Sequence, residues 1–164
     1  MPIIFVEPVI DKSVRLLCLR PYPGHKKGCP NFGKRDICPP NCPLIDEVFD
    51  LSKPVVAVWT SFNLESHRER MKSKHPNWSR RQLDCCLYWQ GGVNKNLRRN
   101  VEYNLERYIF FNGEKNLIAT YIPEAMGVNV TETMKNVGVI LEWPPEKIVN
   151  KVAFVGVKLT GGGN

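Results

Sequence analysis

Four of the chain's six cysteines fall in one stretch, spaced Cys18-x10-Cys29-x8-Cys38-x3-Cys42. Prolines directly follow Cys29, Cys38 and Cys42, and the residues between are rich in Gly, Lys, Arg and Asn. Thiols kept as small core hydrophobes sit among apolar neighbours, and these do not. Prolines fix φ and withdraw backbone donors while glycines admit positive φ, so such a segment can wrap a compact object with little regular structure. A bound metal would supply the cohesion that an apolar core supplies elsewhere.

Structural zinc sites usually present two close ligand pairs, often completed by His. Here Cys38 and Cys42 form the single close pair of the stretch. The Cys-Pro steps resemble the one that ends ferredoxin cluster runs, and wide, irregular spacing suits a cubane better than a single ion. The expectation is a [4Fe–4S] cluster held by Cys18, Cys29, Cys38 and Cys42, with zinc as the alternative metal. His25 is a further candidate ligand, although a solvated loop histidine beside Lys26 and Lys27 is the preferred reading. An even number of cysteines would also permit disulfides, but these are rare in the reducing compartment expected for this chain.

The remaining thiols, Cys85 and Cys86, are expected to be neighbours on a helix, where their side chains diverge by about 100°. One could reach the metal while the other packs beside Leu83 and Leu87. The fourth ligand is therefore open among Cys42, Cys85, Cys86 and none, and Cys42 and Cys86 are the candidate catalytic thiols. A purely thiol-dependent enzyme would need a base, and His67 and His75 lie in no recognisable catalytic motif.

The net charge is +7, and much of the excess lies between Met71 and Val101, where seven basic residues face the single acid Asp84. Arg80, Arg81, Lys95, Arg98 and Arg99 in that stretch, with Lys26 and Lys27 in the cysteine loop, are candidate contacts for nucleic acid or another anion. Trp78, Tyr88 and Trp89 are interleaved with them, a combination that suits single-stranded or looped RNA. The bland reading is a solvated face whose aromatics point inwards.

These groups must be positioned by a fold, and the composition, 43% hydrophobic and 24% charged, is that of a globular chain. "IIFVEPVI" and "VRLLCL" predict two early strands, the second ending near Cys18. "PLIDEVFDL" predicts a short helix, and "PVVAVWTSF" a strand covered on both faces. "ESHRERMKSKH" predicts a surface helix. "SRRQLDCCLYW" predicts another, opened by a Ser79–Gln82 capping box and ended or bent at Gly91-Gly92. Leu97, Val101, Leu105 and Ile109 then recur at helical spacing. "NLIATYI", "VGVILEW" and "KVAFVGVKL" predict strands. "TETMKNVG" predicts a helix between two of them, with Thr131 as its cap and Gly138 at its end.

The fold class expected is α/β or α+β: one domain over residues 1–160, with a mixed sheet flanked by helices, the metal-binding loop near the N-terminus, and 161–164 as a flexible tail. No secretory leader or membrane span is apparent, which leads to the expectation of a cytoplasmic protein with no membrane partner.

"CPNFGKRDICPP" resembles the N-terminal signature of an uncharacterised prokaryotic family of cysteine-rich predicted metal-binding proteins. "PEAMGVNVTETMKNVGVILEW" is similar to that family's closing segment. The resemblance covers about a third of the chain and implies metal binding on an α/β fold, with Cys18, Cys29 and Cys38 at the family's three N-terminal cysteine positions. Cys42 is additional to that pattern. The family's second Cys-rich run is absent here, where "DCCLYWQGGVNKNLRRN" holds only Cys85 and Cys86.

The function expected is that of an iron–sulfur protein with an open or thiol-assisted iron, acting on an anionic substrate such as a nucleotide or tRNA, for example in sulfur transfer or lyase-type chemistry. The alternative is a non-catalytic module, stapled by zinc or a cluster, that binds RNA or a protein partner.

Overall fold

A computed structural model describes residues 3–21, 26–112 and 116–160, except for the side chains of 107–112. His25 and the tail 161–164 lie outside the described residues, as does the side chain of Ile109.

The sheet is built from β1 (Ile3–Val6), β2 (Val55–Asn63), β3 (Leu117–Thr120) and β4 (Ile148–Val157), in the order β1-β2-β4-β3. The α/β-type assembly of one sheet and helices is as expected. All its pairings are antiparallel, however, so the sheet is not mixed. The two central strands are the near-continuous apolar runs of the sequence, and alternate residues feed two cores. On one face Val56, Val58, Ala153 and Val155 meet Leu97 and Val101 of α4 (Gln90–Asn112). On the other, Val55, Ala57, Val152 and Phe154 meet α1 (Ile45–Val48), the turn carrying Met126 and Val128, and α5 (Val130–Lys135).

Two expected strands take other forms. Residues Lys12–Leu19 form a 3-10 helix, because Asp11 accepts hydrogen bonds from the N–H and hydroxyl of Ser13 at 3.0 and 2.6 Å and caps a turn there. The 139–143 segment is irregular. Glu142 accepts from the N–H groups of Glu146, Lys147 and Ile148 at 2.9–3.2 Å, and Pro144-Pro145 offers no donors. Glu142 thereby closes a loop onto the start of β4, and the segment before it runs as the arm of that loop.

The helices follow the sequence more closely, with shifted ends. α2 (Leu64–Lys74) is the expected polar helix, although His67 within it is buried. α3 (Arg80–Leu83) opens with the Ser79–Gln82 capping box and stops after one turn at Asp84. Asp84 is held there by Arg80 at 2.9 Å and by Arg68. Cys85 is extended and Cys86–Tyr88 is a 3-10 turn, so the two thiols do not share an α-helix. Gly91 and Gly92 lie in the first turn of α4 rather than ending its predecessor. Asn129, not Thr131, caps α5: its Oδ1 accepts from the Glu132 N–H at 3.1 Å. Gly138 closes that helix at φ +78°.

Candidate metal centre and adjoining cleft

The Cys-rich loop lies against the face of the sheet opposite α4, and main-chain bonds bring its parts together. Cys18 is near the end of the 3-10 helix, and its carbonyl accepts the N–H of Cys29 at 2.7 Å. Only glycine fits before Cys29. Gly28 has φ +80°, and a β-carbon there would lie 2.5 Å from the Cys18 carbonyl oxygen. Gly33, at φ +70°, donates to the Pro39 carbonyl at 2.7 Å and folds the loop back towards Cys38. Arg15 locks the far end, donating to the carbonyls of Pro40 and Cys42 at 2.9 and 2.6 Å.

Cys18, Cys29 and Cys38 are each half-buried. Desolvation pushes the Cys18 thiol above its ordinary range, with Cys29, Cys38 and Glu124 acting the same way. The main chain ties Cys18 to Cys29 and, through the Cys42 N–H on the Cys38 carbonyl at 3.0 Å, Cys38 to Cys42. Cys42 is placed differently. It is 4% exposed, packs into the core with Ile45, Phe49 and Met126, and its Sγ lies 3.4 Å from the Pro43 carbonyl. Burial raises its thiol too, with Arg15 opposing and Cys38 adding to the rise. Among the described residues, no three or more His, Cys, Asp or Glu side chains are arranged to hold a single metal ion.

The basic residues divide. Lys26, Lys27 and Lys34 line a groove of about 480 Å³ with Cys29 and Phe32, beside the thiols. Arg80 is paired with Asp84. Arg81, Lys95, Arg98 and Arg99 are exposed, and Arg98 lies over the Tyr121 ring at 5.9 Å. The interleaved aromatics are already stacked within the chain: Trp78 on His75 at 4.1 Å and on Tyr88 at 5.1 Å, and Trp89 on Phe62 at 5.1 Å.

A cleft of about 330 Å³ opens where β4 runs beyond the end of β3 and has no strand on that side. Trp89, Tyr121, Glu124, Trp143, Asn150 and Lys151 line it. Glu124 keeps exposed surface, while the packing around its carboxyl pushes it above the usual carboxylate range and Lys151 opposes the rise. Desolvation lowers Lys151, with the charges of Glu124 and Cys86 opposing. Glu124 and Lys151 both line the cleft, and each opposes the other's shift. Sequence reasoning missed Glu124 and Lys151, because nothing in "PEAMG" or "VNKVAF" marks them as partners.

Compared with known proteins, the sequence matches no family model and no curated protein, and the fold matches no solved structure. Among the described residues, no helix is long and apolar enough to cross a membrane.

Proposed function

We propose that Cys18, Cys29 and Cys38 hold one [4Fe–4S] cluster and that the protein uses it on an anionic substrate, a nucleotide or tRNA, in chemistry of the sulfur-transfer type. The observation that supports this is the main-chain tie between Cys18 and Cys29, made at the Gly28 turn, in a loop that also carries Cys38. The donor set suits a cluster. Thiolate sulfur is the ordinary ligand of cluster iron, and this loop offers it from three half-buried positions.

The position of Cys42 in the core favours three protein ligands over four. When bound, such a cluster supplies an iron able to act as a Lewis acid towards substrate. The chain itself does the rest. Arg15 fixes the loop, Lys26, Lys27 and Lys34 set positive charge alongside Cys29, and Cys86 stands near Lys151 as the second thiol.

Oxygen-free purification followed by metal, sulfide and absorption analysis tests the reading. The expected result is a brown protein with ~4 Fe and ~4 acid-labile sulfides per chain. Colourless protein with ~1 Zn per chain overturns it in favour of a zinc-stapled module.

A further inference from the structure

We propose that the cleft at the open edge of β4 is a nucleotide site, taking the base against Tyr121 and Trp143 and the phosphate at Arg98. This rests on the reading above, since it names where that substrate sits.

The lining supplies both kinds of interaction that a base needs. Trp143 is 70% exposed and Tyr121 39%, so large ring faces are open to a planar ligand. Glu124, Asn150 and Lys151 place acceptors and donors together inside the same walls, as reading the polar edge of a base requires. The volume, about 330 Å³, is at the small end for ligand sites and suits one nucleotide rather than a larger cofactor.

The surroundings agree. Arg98 sits over the Tyr121 ring on the exposed side of α4, beside Lys95 and Arg99 in sequence, so cationic charge stands at the mouth rather than the floor.

The full chain, purified without oxygen, is titrated calorimetrically with AMP, GMP, CMP, UMP, inorganic phosphate and a short single-stranded RNA. Saturable binding of at least one nucleoside monophosphate is expected, with Trp143→Ala and Lys151→Met each weakening it by about tenfold or more. Trp143 is mostly solvent-exposed, so its variant tests binding without threatening the fold. RNA binding more tightly than the mononucleotide supports a base presented on a strand, and equal binding supports a free nucleotide. The inference is overturned by absence of saturable binding, by inorganic phosphate binding as well as the nucleotides, or by unchanged affinity in both variants. Iron is measured on the same samples. Iron without nucleotide binding defeats this inference alone, and nucleotide binding without iron defeats the cluster reading alone.

Discussion

The backbone N–H of Cys29 donates to the carbonyl of Cys18 across 2.7 Å, so two cysteines separated by ten intervening residues are tied together by main chain. The residue just before Cys29, Gly28, makes that approach possible. A site assembled in this way is sensitive to main-chain changes that leave every thiol in place.

Gly28→Ala supplies that test. A methyl group would meet the Cys18 carbonyl oxygen at 2.5 Å, in a backbone conformation with φ +80°. The expected cost is about 1–3 kcal/mol of stability together with loss of most bound iron. Thermal unfolding and iron stoichiometry on one preparation measure both. Full iron content would show that the close approach is not needed for assembly.

Cys42 and Cys29 should behave oppositely. Cys42→Ala removes a buried sulfur from the core and is expected to lower stability by about 1–2 kcal/mol while leaving iron content intact. Cys29→Ser is expected to abolish loading. Loss of iron from both would restore Cys42 as a ligand and close the centre with four thiolates.

Arg15 is the side chain that joins the 3-10 helix to the end of the loop through two carbonyls. Arg15→Met keeps much of the stem packing and removes both donors. A destabilisation of about 1–3 kcal/mol is expected, as for hydrogen bonds from a charged group, with faster release of iron to a chelator. Unchanged release kinetics would show that the loop closes without it.

His67 gives the fold a pH dependence. It is 3% exposed, and burial, with Arg70 and Arg68 nearby, holds its pKa below the ordinary histidine value of 6.5. The unfolded chain therefore binds this proton more readily than the folded one. Stability is at its full value above about pH 6.5 and falls as the pH drops through and below it. The carboxylates of Asp11, Asp50 and Glu142, held low by hydrogen bonds, lose their contribution only in more acidic solution. Denaturant midpoints between pH 7.5 and 5 should decline for the native chain and stay level for His67→Phe. A parallel decline in both would assign the effect elsewhere.

Arg98→Glu combined with Arg99→Glu tests the basic face. RNA retention should weaken, with the salt dependence of binding flattened by about 0.7–0.9 for each phosphate no longer neutralised. Equal retention at all salt concentrations would leave this face as solvated surface.

The amino-acid pattern alone determined that this chain builds one sheet with helices, because long apolar runs such as "PVVAVWTSF" and the Leu97–Val101–Leu105 spacing encode burial directly. It also marked the thiols, whose setting among Pro, Gly and Lys is itself a signal. It misjudged residues 14–19 and 137–143, which Asp11 starts as a capped turn at Ser13 and Glu142 ties into a loop by bonds to residues 146–148. Tertiary structure alone decided that Cys42 is buried in the core while Cys18, Cys29 and Cys38 keep partial exposure, since four cysteines in one loop look alike until packing distinguishes them. It alone brought Glu124 and Lys151, from separate segments, into the walls of one cleft, for which a linear sequence has no sign.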